Sequence, residues 1–458
     1  MEHITIKELL EATGGRLLCG DIHTPIAHIS IDSRKMQGAD LFVPLIGEKV
    51  DAHRFIDQAL AQGAAATLTS EQDQMDSQKP YIRVEDTQKA LQAIGSYYRK
   101  RFTLPLIGVT GSVGKTTTRE MIAAALSAKY HVYKTPANHN SQVGVPITLS
   151  EISELDQIGV IELGMSEPGE LTVIAKIAQI TMAVITNVGI THIEQLGTQD
   201  NIYREKISIQ DGLQPGGILF LNGDDPLLKT TTARSGFQTI YFGTGENSDY
   251  RAVDIRVEDG YPAFTAVHHA ERIPMKLSVM GAHQVLNAMV SLAVADTNGV
   301  SMQAAAAYLE AFTGFQNRQQ IYEDQGMIII DDTYNASPVS MKAAIDILIG
   351  QKKSTRRIAV LADMKELGTE TRRFHYEIGT YFKNQPVDIV VTLGDLAKEI
   401  ARGVKEAAPS ILVYPFEEKL RLETWLKEEL KAGDCVLFKG SNSMKLGEVV
   451  EHVRQYHH

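Results

Sequence analysis

The 458-residue chain carries 43% hydrophobic and 22% charged residues, the balance of an ordinary globular protein long enough for roughly three domains. Its formal net charge of −11 excludes a non-specific nucleic-acid binder, which needs a basic face, and no apolar run of about 18 residues exists to insert in a bilayer. The N-terminus lacks a charged-then-apolar leader, and Cys19 and Cys435 supply neither a disulfide framework nor a zinc site, so a cytoplasmic protein with reduced cysteines is expected.

Residues 1–100 read as a small α/β unit. Ile4 to Ala12 has helical periodicity and stops at Gly14-Gly15, Ile29 to Arg34 runs from a strand into a turn, and Leu41 to Leu45 is a second strand ending near Gly47. A helix over His53 to Ala61, a strand over Ala64 to Leu68 and a polar loop over Ser70 to Lys79 follow, and Asp86 to Arg101 predicts a helix capped by Thr87. Ser33 and Arg34 sit at a strand end, where a hydroxyl and a guanidinium can hold a diphosphate; a solvated turn is the other reading.

Residues 101–313 open on Leu104 to Met121, LPLIGVTGSVGKTTTREM. A short apolar strand passes through Gly111, Ser112, Val113 and Gly114 into Lys115, Thr116 and Thr117, with a helix reading from Met121 and Ile122 onward. Glycines let backbone N–H groups curl around an anion, the helix N-terminus adds its dipole, Lys115 reaches the outer phosphates and Thr116 offers a hydroxyl to their Mg²⁺. Position 109 is Val109 where the longer phosphate-loop pattern has glycine, so the reading rests on the G-x-x-G-K-T core in its strand–loop–helix setting. Strands over His131 to Lys134, Ile158 to Leu163, Met182 to Val188 and Gly217 to Asn222 each end in polar residues, and parallel α/β sheets bind ligands off those ends. Glu162 closes an apolar run, where a carboxylate can take Mg²⁺, and His192 is either a second ligand or a structural histidine. Lys206 reads as a helix-surface lysine. Residues 250 to 280 suggest a small antiparallel insert, and Asn287, within a helix over Gly281 to Asn298, is either a core amide or a partner for a purine edge.

Residues 314–458 alternate strand and helix from Met327 to Val453, the pattern of a Rossmann-like doubly wound parallel sheet. After the first strand stands Asp331-Asp332-Thr333-Tyr334-Asn335, with no G-x-G-x-x-G, which disfavours a nicotinamide cofactor. The fold class is therefore α/β in three domains: a small N-terminal unit, a central phosphate-loop sheet with its insert, and the Rossmann-like third unit.

The phosphate loop, Ile161-Glu162-Leu163-Gly164, Asn187-Val188-Gly189 with His192, Asn287 and Asp332 to Pro338 occur in one order. That ordered set resembles the Mur ligases, ATP-dependent amino-acid-adding enzymes of peptidoglycan synthesis. Asp32-Ser33-Arg34, Asp51-Ala52-His53, Asn138 to Pro146, Leu361 to Gly368 and Lys439-Gly440-Ser441 extend the likeness along the chain. The resemblance implies a ligase that uses ATP and Mg²⁺ to join D-alanyl-D-alanine to UDP-N-acetylmuramoyl-tripeptide, and a monomer is expected. It implies that Ser33 and Arg34 bind the UDP part and that Asn138, Asn140 and Ser141 face the muramoyl peptide. By the same likeness Thr116, Glu162 and His192 hold Mg²⁺, Lys206 is N-carboxylated by CO₂, Asn287 contacts adenine, Arg318 and Asp332 the ribose, and Tyr334, Asn335, Ala336 and Ser337 the incoming dipeptide. The alternatives are another amino-acid ligase of Mur or folylpolyglutamate-synthetase type, and a phosphate-loop switch protein.

Overall fold

Leu106–Thr110 is buried at all five positions, as a strand with neighbours on both edges and helices on both faces must be. In the computed structural model, which describes residues 1–258, 260–315, 318–352 and 354–456, it lies inside a nine-stranded sheet. From one edge the strands are Val132–Lys134, Ile158–Glu162, Leu106–Thr110, Ile180–Ile185, Leu213–Asn222, Gln238–Gly243, Tyr250–Glu258, Tyr261–His268 and Glu271–Lys276. The first seven run parallel, and the last two pair antiparallel. The expected insert is thus a continuation of the main sheet, joined to it at Phe242 and Tyr250. Register places Glu162 opposite Val109 and Ile185 opposite Thr110, so the polar residues that follow these strands emerge level with the phosphate loop.

The N-terminal unit has a five-stranded sheet ordered Arg16–Cys19, Tyr81–Arg83, Ala64–Thr69, Asp40–Phe42 and His28–Ser30. Its last helix, Thr87–Arg99, is capped by the Asp86 carboxylate, which accepts from the Gln88 and Lys89 amides. Thr87, the expected cap, instead donates its hydroxyl to the Pro44 carbonyl. The same helix docks on the central domain where Gly95 leaves room for Pro146, and the buried Arg99 guanidinium donates to the carbonyls of Ala178, Phe102, Leu104 and Gln179.

The third sheet is ordered Gln320–Asp324, Met327–Asp332, Asp434–Lys439, Arg356–Ala362, Ile389–Leu393 and Leu412–Phe416, parallel except for its first strand. Helices cover both faces, giving two apolar cores, one around Ile345, Leu361 and Ile378 and the other around Val360, Leu426 and Val449. Strand Asp434–Lys439, last in sequence, lies between Met327–Asp332 and Arg356–Ala362, which brings Lys439 beside Asp332.

Candidate active site

The helix expected from Met121 begins at Lys115, directly after Gly114, so its first free amides face the loop rather than lying two turns away. Gly114 has φ +87° and Gly111 φ +153°, and a Cβ on Gly111 would stand 1.9 Å from Thr186 Oγ1. The loop is braced by the strand beside it. Val113 N–H donates to Asn187 Oδ1 at 2.9 Å, and the Val113 carbonyl accepts from Asn187 Nδ2 at 2.9 Å and Thr186 Oγ1 at 2.7 Å. Gly189 N–H donates to Ser112 Oγ at 2.8 Å. Lys115 Nζ donates to the Gly111 carbonyl at 2.8 Å. Burial holds its ammonium below the usual lysine range, with Glu162 opposing and Arg318 reinforcing that shift.

Glu162 is buried and fully engaged. Its Oε2 accepts from Thr116 Oγ1 at 2.8 Å and Arg119 Nη1 at 3.3 Å, and its Oε1 from Asn140 Nδ2 at 2.7 Å. Arg119, one turn beyond Thr116 and 1% exposed, also pairs with Glu120 at 2.6 Å. His192 adopts the left-handed conformation, φ +64°, and its Nδ1 lies 2.6 Å from Glu366 Oε2 in the third domain.

Ser112 to Thr117, Asn140, Glu162 and His192 line one cavity of about 330 Å³ between the central and C-terminal domains, shared with Asn187, Asn287, Arg318, Asp332, Lys439 and residues Tyr334 to Ser337. Asn287 accepts from Thr118 Oγ1 at 3.0 Å and donates to Gln284 Oε1 at 2.8 Å, so it is both a core amide and a cavity wall. The Arg318 guanidinium stacks 3.9 Å from the Tyr334 ring centre, and its Nε is buried with no hydrogen-bond partner among the described residues. Lys439 Nζ donates to Asp332 Oδ2 at 2.6 Å and to the Asn335 carbonyl at 2.9 Å. Ser337 caps the helix Pro338–Ile349, whose N-terminus faces the same space.

The Thr116 hydroxyl and Glu162 carboxylate, in contact with each other and opening on this cavity, are the hard oxygen donors that fit Mg²⁺. Lys206 departs from the surface reading. It is 2% exposed, and no hydrogen-bond or ion-pair partner of its ammonium is found among the described residues. Burial first, and repulsion from Lys115 second, hold its pKa well below the ordinary value, with Glu205 opposing.

Four expected substrate residues lie outside the cavity. Ser33 is buried, with Oγ donating to Gln58 Oε1 at 3.3 Å, and Arg34 is exposed and grips Asp32 through two hydrogen bonds of 2.8 and 2.9 Å, holding that carboxyl down to about 2. Asn138 is exposed, and Ser141 Oγ accepts from the Val143 and Gly144 amides at the start of helix Gly144–Ser150. Sequence reasoning assigned no role to Arg119, Asn187, His283, Gln284 or Gln319. Of these, only Asn187 carried a signal, a polar side chain directly after a buried strand.

Residues 25–99, 109–295 and 317–442 match the Mur ligase family catalytic domain, the Mur ligase middle domain and the Mur ligase glutamate ligase domain respectively. The chain is 36% identical over 453 residues, 98% of its length and 97% of the relative's, to the UDP-N-acetylmuramoyl-tripeptide–D-alanyl-D-alanine ligase of Bacillus subtilis. Among solved structures it is similar to MurF from Acinetobacter baumannii, at a TM-score of 0.90 and 30% identity over 98% of both chains. It is also similar to the MurF ligase of Thermotoga maritima in complex with ADP, at 0.82 and 29% over 94% of this chain and 98% of that one. The phosphate loop, the buried carboxylate one strand away and the third-domain loops across the cavity thus stand in a chain matched along nearly its whole length by relatives of one kind, and it belongs to the Mur ligase family.

Proposed function

We propose that the protein is the ATP-dependent ligase that joins D-alanyl-D-alanine to UDP-N-acetylmuramoyl-tripeptide, giving the pentapeptide, ADP and phosphate in peptidoglycan precursor synthesis. The observation that carries this reading is the cavity in which a phosphate loop on one domain faces the loop Tyr334 to Ser337 on another. It lets a γ-phosphate and an incoming amine meet over one carboxylate.

The chemistry must bring a carboxylate up to a polyphosphate, and both are anions. Loop amides between Gly111 and Lys115, the helix dipole and the Lys115 ammonium meet that charge before the substrates arrive, so little reorganisation is needed as it shifts. The tripeptide carboxylate attacks the γ-phosphorus, the bond to ADP breaks, and an acyl phosphate forms. The D-alanyl-D-alanine amine then adds to the acyl carbon and loses a proton, and phosphate leaves. Thr116, Glu162 and His192 are the groups we assign to Mg²⁺, which when bound offsets charge on the transferring phosphoryl group. Asn140 and Arg119 hold the Glu162 carboxylate in place. Arg318, free at Nε, and Asp332 are assigned to the ribose side, Asn287 to adenine, and Tyr334 to Ser337 to the dipeptide. Ser33 and Arg34 would take the UDP part, and Asn138, Asn140 and Ser141 the muramoyl peptide. Lys206 is assigned as the N-carboxylated lysine: burial first, and the Lys115 cation second, depress its amine and favour the neutral form that attacks CO₂. Domain limits near residues 100 and 314, a monomeric state and action in the cytoplasm complete the proposal; no helix among the described residues is long and apolar enough to cross a membrane.

The test is phosphate release with ATP, UDP-N-acetylmuramoyl-tripeptide and D-alanyl-D-alanine, each omitted in turn. Release is expected to need all three for sustained turnover, and turnover indifferent to D-alanyl-D-alanine would overturn the assignment.

A further inference from the structure

The contact between His192 and Glu366 crosses from the central to the C-terminal domain, and it is built from two conformationally costly residues. His192 has φ +64° and Glu366 φ +63°, the left-handed region that non-glycine side chains avoid, and their side chains meet at 2.6 Å. Stability is a poor reason for such an arrangement. The Glu366 side chain is 48% exposed, and half-exposed ion pairs add little to folding.

Both partners are mounted on rigid supports. On the C-terminal side, the Met364 N–H donates to Nε2 of the fully buried His375 at 2.9 Å, the Lys365 N–H donates to Ser441 Oγ at 2.9 Å, and Leu367 is buried. On the central side, the His192 segment is tied to the phosphate loop through Gly189 and Ser112, and Ile190 packs on the C-terminal core. Beside the pair, Glu194 touches the turn at Gly368. A continuous mechanical path therefore runs from the phosphate loop to the third domain.

We propose that Glu366 is a positioning residue, whose carboxylate, 2.6 Å from His192 Nδ1 across the domain boundary, holds the ring with Nε2 toward the cavity, so that the phosphate side of the site is complete only with the C-terminal domain docked. This rests on the assignment of His192 as a group facing the nucleotide's metal. The imidazole has two nitrogens, and a carboxylate against one fixes the ring and so sets where the other can reach. Removing the orienting carboxylate leaves a ring free to rotate, and losses of about tenfold in metal affinity are typical when such outer partners are removed.

Mn²⁺ binding to the full chain saturated with ADP, read by electron paramagnetic resonance, tests this with no amide substrate present. Glu366→Gly, which also relieves the left-handed backbone, should weaken Mn²⁺ about tenfold with a melting temperature within about 2 °C of the parent. Glu366→Gln keeps an acceptor oxygen and should stay within about threefold. In a His192→Ala background, Glu366→Gly should change nothing further. Affinity within twofold for Glu366→Gly, or the same loss with His192 already removed, would overturn the proposal. A ligase assay that ignores D-alanyl-D-alanine would instead overturn the functional assignment and leave this result standing.

Discussion

Replacing Asn187 by alanine tests whether the neighbouring strand holds the phosphate loop in its binding shape. In the intact protein the Asn187 amide engages both polar groups of Val113. The truncation is not symmetric, because the Val113 carbonyl keeps the Thr186 hydroxyl at 2.7 Å while the Val113 N–H loses the acceptor it had at 2.9 Å. The loss is therefore close to one backbone hydrogen bond at a half-buried site, about 1–2 kcal/mol. If that cost falls on loop order, ADP binding weakens by roughly 5- to 30-fold, since 1.4 kcal/mol is a factor of ten. Isothermal titration of Mg·ADP into Asn187→Ala reads this directly, with circular dichroism to confirm the fold. An affinity within twofold of the parent would refute the argument that Asn187 preorganises the loop.

Depleting CO₂ from the assay should lower turnover, restored by bicarbonate, and labelled bicarbonate should give a carbamate carbon resonance that Lys206→Ala lacks; full activity in depleted buffer would refute the carboxylated lysine. His375 accepts the Met364 amide at Nε2 and donates to the Thr371 carbonyl from Nδ1, so it is neutral when folded, with burial holding its pKa below the usual 6.5. The unfolded chain then binds the extra proton, so this contribution is full above pH about 6.5 and is lost as pH falls below it. His283, depressed by burial too, adds in the same direction. Calorimetry from pH 8 to 5 should show a shallower acid decline for His375→Gln, and an unchanged slope would refute the linkage. Lys439→Met strands the Asp332 carboxylate in the cleft wall and should cost about 3–5 kcal/mol in urea unfolding, largely recovered by adding Asp332→Asn; a loss below about 1 kcal/mol would show that the pair is not desolvated.

The elements that sequence revealed best are those buried on both faces. Ile158–Glu162 and Met327–Asp332 are near-continuous apolar runs, and their strand ends pointed to Glu162 and Asp332. Gln238–Gly243 was missed because, though interior to its sheet, only its last two residues are buried, and Gln320–Asp324 because it lies on an edge, where most of its residues are polar. Helix Gly144–Ser150 was hidden by Gly144 and Pro146, which read as loop residues. Periodicity shows a buried face only when that face is apolar. It could not reveal that Arg119 and Lys206 are interior, because a buried charge looks like a surface one in a sequence; only packing from distant strands tells them apart. The pairing of His192 with Glu366 likewise joins residues from separate domains and leaves no local trace.

The phosphate-loop helix Lys115–Leu126 buries Met121, Ile122 and Leu126 in the same core as Val285, Met289 and Leu292 of helix Gln284–Thr297. At a synthesis rate of about 5–20 residues per second, the roughly 160 residues between them take on the order of 10–30 s to emerge from the ribosome. For that interval the helix can pack only on strands of its own sheet, such as Leu106–Thr110 and Ile158–Glu162, and the side that meets helix Gln284–Thr297 stays uncovered. The helix most diagnostic of nucleotide binding is accordingly covered on one side early in translation and on the other only when helix Gln284–Thr297 arrives.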